Sequence, residues 1–316
     1  MALETTTTAV NDLVNTAVIS QTMLAHAMEF IVAQDKFRYF SLVGAAGAVA
    51  QVPRLDANYT VNDNGATLDA EFDATEGSSL GNTQLTTSNV QFTVSEYGVS
   101  YTITDNVYED SILGTTFMSK GVAAASHTLA LAVEQASCAL FSSLSNSYGT
   151  TNTDLTIAVA MAAADGIRTR GTLAPDGLVY VLDNKAWADV KTASIAASTS
   201  VLTYAQAGAQ ILGISRSAGG GLGADRRVAD FYGAAVFETG ITPTANSAVD
   251  VVSACFTPST PANDDHATFA YVEKRPFRME IERDAKLRAD VAVFTRRCAV
   301  GEATDFSGSL IISNAA

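Results

Sequence analysis

Bases are scarce in this chain of 316 residues, with 19 Lys and Arg against 33 Asp and Glu and a formal charge of −14. A general grip on a nucleic-acid backbone needs a basic footprint, so that function class is excluded. Cysteine is equally sparse. Cys138, Cys255 and Cys298 form no CxxC pair and are odd in number, which supports neither a zinc knuckle nor a disulfide framework and points to a reducing compartment. Long apolar runs are missing too. The longest uncharged apolar stretches, 42–50 and 121–133, fall short of the roughly 18 residues a membrane span requires. No basic segment precedes Glu4 and Asp12 as a signal peptide would demand. The expectation is a soluble protein with no membrane partner.

Catalytic signatures are also absent. The sequence contains no G-x-S-x-G elbow, no Walker A loop and no H-E-x-x-H. His26, His127 and His266 lie more than a hundred residues apart, without a second His at metal-ligand spacing. The best nominal motif is Gly219-Gly220-Gly221-Leu222-Gly223-Ala224, with Glu238 at the distance of a ribose-binding acid. A dinucleotide site needs that turn to open a helix. Here Asp225, Arg226 and Arg227 lead straight into a strand-like run, which leaves no room for one. Paired acids such as Glu109-Asp110 and Asp264-Asp265 sit in cap or loop contexts as solvated faces. Neither cofactor nor metal is expected, and the chain looks built for contact rather than catalysis.

What is present is 47% hydrophobic, enough to build a sizeable core. Val10 to Ala33 has helical spacing (Leu13, Val14, Ala17, Val18, Met23, Ala27, Phe30, Ile31). Val49 to Asn64 is strand-like around Pro53, 62–89 is a polar, turn-rich extended loop, and Val90 to Thr104 returns as a strand whose alternation breaks around Gly98. One long helix then runs to about Ser145, with Leu129, Val133, Ala136, Leu140 and Leu144 as its apolar stripe. A polar break at 149–153 is followed by helix 154–168, a buried strand 178–182, a helix 184–192 capped by Asp183 and a strand 228–237. The clearest local pattern is last: Phe277, Met279 and Ile281 alternate with Arg278, Glu280 and Glu282, and a turn at 284–286 leads to a partner strand through Val291 and Val293. A short strand, 310–312, ends the series.

Charge is segregated along this order. Residues 1–160 hold 16 acids and 4 bases; no base but ten acids fall between Arg54 and Lys120, and 8 of the 19 bases crowd into 274–297. Two surfaces of opposite sign are expected.

The order of parts resembles the major capsid proteins of tailed bacteriophages, which share the Hong Kong 97-like fold. It rests on the helical arm, the acidic hairpin closing with Glu76-Gly77, and the strand ending Ile103-Thr104-Asp105-Asn106. Further along come Glu109-Asp110-Ser111 before the spine helix, the α/β insertion, and the terminal run from Arg275 to Ala285 with Val300-Gly301-Glu302 downstream. The resemblance implies an α+β chain with an N-arm (1–48), an extended β-hairpin loop (49–92), a peripheral domain with a long spine helix (93–150) and C-terminal sheet (265–316), and an axial α/β domain (151–264). It implies hexamers and pentamers closing an icosahedral shell around double-stranded DNA, assembled in the host cytoplasm. A portal, a scaffolding protein and cement proteins are the implied partners. The scaffold is expected as a separate chain, because the arm follows Met1 within about ten residues, and no loop lysine is available for covalent cross-linking. An encapsulin-like compartment and, from another class, a nucleotide-binding enzyme using 219–223 stay open.

Relatives lay the loop across a neighbour's peripheral domain, which makes intersubunit contact candidates of the loop acids Asp56, Asp63, Asp69, Glu71, Asp73 and Glu76. Their counterparts are the hairpin bases Lys274, Arg275, Arg278, Arg283, Lys286 and Arg288. Charge complementarity between them would set register more than affinity. The alternative is neutralisation of the bases within one chain by Glu280, Glu282 and Asp284.

Overall fold

The computed structural model describes residues 31–55, 59–60, 68–69, 87–106, 116–170, 177–199, 215–216, 227–260 and 266–315. The arm helix therefore falls mostly outside the described residues. Its last positions, 31–33, are irregular, and there the amides of Val32 and Ala33 donate to the Glu134 carboxylate, at 3.1 and 2.6 Å.

Beyond that point β1 (Arg38–Ser41) leads to β2 (Val49–Leu55). The described parts of the loop are β3 (Tyr59–Thr60) and β4 (Leu68–Asp69), which pair in parallel. The chain returns through β5 (Thr87–Thr93), antiparallel to β2 from Val49↔Thr93 to Leu55↔Thr87, and continues as β6 (Ser95–Thr104). The break in this return falls at Val94, not at Gly98. Phe92 and Val94 are buried with Ala50 and Val52, whereas Tyr97, Val99, Tyr101 and Ile103 point to the other face of the sheet. The slip in alternation marks a strand changing partners and faces, and Gly98 stays in register opposite Thr295.

The spine helix α1 (Thr116–Ala139) ends in a 3₁₀ turn, Leu140–Ser143. Its buried stripe is made mostly of small residues: Val122, Ala125, Ser126, Leu129, Ala130, Val133, Glu134, Ser137 and Cys138. Ala136 and Leu140 lie at the margin. Small side chains let α1 lie close on its sheet.

After β7 (Ser147–Tyr148), α2 (Ile157–Arg170), β8 (Val179–Asp183) and α3 (Asn184–Thr199) follow. Asp183 caps α3 as expected, its Oδ1 accepting from the Lys185 amide at 2.8 Å. Then come β9 (Ser215–Arg216), β10 (Arg227–Phe231) and β11 (Ala234–Thr239). The single strand expected over 228–237 is thus a hairpin. Its two-residue turn is Tyr232-Gly233, with φ of 51° and 74°, the geometry that matches strand twist. A tyrosine there hides the turn from sequence inspection.

β12 (Thr244–Ala245) and β13 (Asp250–Phe256) precede the long hairpin of β14 (Phe269–Asp284) and β15 (Ala289–Glu302), and β16 (Gly308–Asn314) closes the order. A four-stranded sheet runs β1-β14-β15-β6. An eight-stranded mixed sheet runs β7-β16-β13-β8-β11-β10-β9, with β12 on β13. The last strand therefore belongs to the second sheet, between β7 and β13, and not beside the hairpin that precedes it.

Helices α2 and α3 cover one face of the eight-stranded sheet through Ala160, Ala163, Ala164, Ile167, Ala186, Trp187 and Val190. The opposite face joins a second core with the end of α1 and the four-stranded sheet, around Phe37, Phe141, Phe256 and Phe269. Ring centroids there lie 4.9 to 6.1 Å apart. The root of the extended loop is covered within the chain: Ala50, Val52, Phe92 and Val94 pack on Ala270, Val272 and Ala299. The Phe92 ring sits so close over Gly301 that a Cβ there would lie 2.2 Å from it.

Candidate assembly interface

The hairpin of β14 and β15 presents the predicted bases on a sheet whose other face is filled by α1. Phe277 and Met279 point inward with Ala292 and Phe294, while Arg278, Glu280 and Glu282 point to solvent. Three of the six bases meet acids of their own chain: Arg278 through Glu280, as the intrachain alternative expected, and Arg275 and Arg283 through partners the sequence did not indicate. Arg275 donates to Glu96 on β6 at 2.7 Å and to Thr295 at 3.0 Å. Arg278 pairs with exposed Glu280 at 2.7 Å. Arg283 grips Asp105 with both terminal nitrogens, 2.7 Å each, and reaches Asp290 at 3.2 Å. That grip holds the Asp105 carboxyl below its ordinary value and the guanidinium above its own. Lys274 donates to the Ala45 carbonyl.

Lys286 and Arg288 differ. Their side chains make no hydrogen bond or ion pair among the described residues, and they flank Leu287, which is 60% exposed. The turn carrying them is held by Asp284, whose Oδ1 accepts from the Lys286 and Leu287 amides at 2.8 and 3.3 Å. Arg288 adopts φ of 47°, and its carbonyl accepts from the Asp105 amide at 3.0 Å. The hairpin tip is a rigid knob with two cations and one apolar side chain. Of the loop acids, Asp56, Asp63, Glu71, Asp73 and Glu76 lie outside the described residues; Asp69 is described only as backbone in β4.

Among the buried charges that escaped sequence reading, Arg296 and Glu134 stand where elements join. Arg296, 5% exposed, lies over Phe277 and Tyr271 at 4.5 and 5.3 Å and pairs with Glu273 at 3.3 Å. Glu273 also accepts from Tyr39 and Tyr271, at 2.9 and 3.3 Å. Glu134 is fully buried on α1. A lone acid inside a helical stripe of apolar and small residues was the available signal, since such a charge must be met by donors.

The chemistry sought in the sequence finds little support in the geometry. The glycine run lies outside the described residues, but the strands flanking it, β9 and β10, pair antiparallel, unlike the parallel strand–helix–strand unit of a dinucleotide fold. His266 lies edge-on to Phe306. Among the described residues no group of three or more His, Cys, Asp or Glu is placed to hold a metal, and no helix is long and apolar enough to cross a membrane. All three cysteines are free and buried; burial pushes the Cys255 thiol up to about 12, which leaves it unreactive at neutral pH.

No family model and no curated protein matches the chain. Solved structures do. The chain is similar to the capsid of Ralstonia phage GP4 over 92% of its own length and 90% of that chain, at 9% identity and a TM-score of 0.61. Likeness to the capsid of cyanophage P-SCSP1u covers 89% and 88%, at 11% identity and a TM-score of 0.59. A holo-SrpI encapsulin complex from Synechococcus elongatus PCC 7942 matches over 87% and 84%, at 7% identity and a TM-score of 0.55. The two sheets, the spine helix and the extended loop root thus form an architecture shared with phage capsids and an encapsulin. The fold is Hong Kong 97-like.

Proposed function

We propose that this chain is the major capsid protein of a tailed double-stranded DNA bacteriophage, assembling with copies of itself into hexamers and pentamers of an icosahedral shell. The observation that carries the reading is the extent of the fold likeness, which spans nearly the whole of this chain and of the phage capsid chains it matches. A net charge of −14 suits a container that repels its DNA cargo rather than gripping it. The division into arm (1–48), loop (49–92), peripheral parts and axial part (151–264) is proposed with it, residues 308–314 joining the axial sheet by their pairing. Electron microscopy of the expressed full chain, alone and with a scaffolding protein supplied, tests the reading. Closed shells support it; small oligomers under every condition overturn it.

The likeness to an encapsulin favours a second reading, a protein compartment with protein cargo. Mass spectrometry and nuclease-protected DNA content of purified particles separate the two.

Within the capsid reading, contact between subunits involves the Lys286-Leu287-Arg288 tip and the loop acids of a neighbour. The tip supports this because its two cations make no hydrogen bond or ion pair among the described residues, whereas Arg275 and Arg283 are engaged. Replacing Lys286 and Arg288 together by Glu should block or slow assembly, most strongly at low salt; an unchanged assembly rate removes the tip from the contact.

A further inference from the structure

Glu134 lies in the last third of the spine helix, fully buried, where an ionised carboxylate is costly unless donors surround it. Cys138 Sγ lies 4.0 Å from Oε1, and three more donors are backbone amides from a hundred residues earlier in the chain. Oε1 accepts from Val32 and Ala33 at 3.1 and 2.6 Å, and Oε2 from Gln34 at 3.3 Å. Three successive amides converging on one anion make a concave backbone nest.

The segment held this way touches every major part of the body. Val32, Ala33 and Phe37 enter the core that joins α1 to both sheets. Phe37 lies 4.9 Å from the Phe269 ring of the four-stranded sheet, and β1 begins one residue later on β14, at Arg38↔Ala270. On the other side, the Lys36 ammonium sits 4.5 Å over Phe237 of the eight-stranded sheet, and the Lys36 carbonyl accepts from the Ser259 amide at 2.9 Å.

We infer that Glu134 is a positioning residue: its carboxylate fixes residues 32–34 against the spine helix and couples that segment to the joint between the two sheets. The consequence for assembly rests on the capsid reading; the anchor itself does not. Displacing the chain at Val32–Gln34 strips a buried carboxylate of three donors and disturbs Phe37 between both sheets, so the segment and the joint move together or not at all.

Hydrogen exchange on the full-length unassembled chain tests the anchor. Glu134→Leu keeps the bulk and removes the acceptor, and exchange at Val32, Ala33 and Gln34 should speed up about 10- to 100-fold. Glu134→Gln keeps one oxygen for Val32 and Ala33 but offers Gln34 a donor, so protection should survive at the first two amides and fail at the third. A purely space-filling role predicts the opposite, with Glu134→Leu harmless; exchange within twofold of the parent at all three amides would falsify the anchor. If Glu134→Leu prevents folding, the residue-by-residue pattern in Glu134→Gln decides alone. Assembly supplies the second measurement. Glu134→Leu should fail to close shells that Glu134→Gln still forms, and identical shells from both overturn the positioning role. Should the parent chain form no shells, the capsid reading falls while the exchange result still decides the anchor.

Discussion

The two sheets solve the burial problem in different ways. In the four-stranded sheet the long hairpin alternates from Phe277 to Glu282, apolar toward α1 and charged toward solvent, so over that stretch a single face holds it and the other remains a surface. In the eight-stranded sheet β13 is buried along its whole length and β8 over its first four residues. Leu178, Tyr180 and Leu182 point to the helices, while Val179 and Val181 point to the aromatic core. One sheet is an outer wall with a charged side; the other is an interior layer with none to spare. A strand that must carry contacts to another molecule can afford alternation, whereas one sandwiched between two cores is mostly apolar, and the polar exceptions on β13, Asp250 and Ser253, are hydrogen-bonded.

The largest effect that could break this contrast lies where the two sheets meet. Phe141, fully buried between Phe256 and Phe269, should cost about 3–5 kcal/mol when replaced by Ala, measured by urea unfolding of the unassembled chain. Leu129→Ala removes a side chain that, among the described residues, packs in the cluster between α1 and the four-stranded sheet, at about 2–5 kcal/mol. The single tryptophan, Trp187, sits in the helix-covered core of the other sheet. Its fluorescence midpoint should nevertheless fall with Leu129→Ala, because the shared core makes one cooperative unit. An unmoved Trp187 midpoint would show two units. Asp183→Ala acts on the inner sheet alone, through the cap of α3, and should cost about 1 kcal/mol in the same assay.

The smallest effect concerns the outer wall. Asp105 is held below its ordinary value, chiefly by the hydrogen bonds from Arg283, so this contribution is complete above the unfolded carboxyl value of about 3.9 and is lost as pH falls through the lower folded value. The stability gap between the parent and Asp105→Asn should therefore be present at pH 7 and shrink toward pH 3. An equal gap at both pH values would mean that the charge of Asp105 does not contribute.

Legibility in the sequence followed the same contrast. The hairpin announced itself, because Phe277, Met279 and Ile281 alternate with charges over a single buried face. The cap at Asp183 and the spine helix were equally plain. Strand β10 merged with β11 on paper because apolar residues continue on both sides of Tyr232, and a positive φ at tyrosine carries no composition signal. Placement of β16 could not be read at all: Gly308 to Asn314 names no partner, and pairing with β13 is a matter of topology. The charged residues were half visible. Clustering of the bases was evident, as was the neighbouring Glu280 that meets Arg278, but the acids that meet Arg275 and Arg283, Glu96 on β6 and Asp105 just beyond it, lie 170 or more residues away. Glu134 was overlooked because its partners are backbone amides, which every residue except proline carries.

The position of β16 has a consequence for the order of folding. It lies between β7 and β13 with Leu310 and Ile311 buried, and the whole β14–β15 hairpin separates it in sequence from the strand it pairs. Until β16 docks, β13 has one flank unpaired, and the inner layer stays open along the row from Asp250 to Phe256. A substitution that weakens β16 would leave that flank exposed to pairing with other chains.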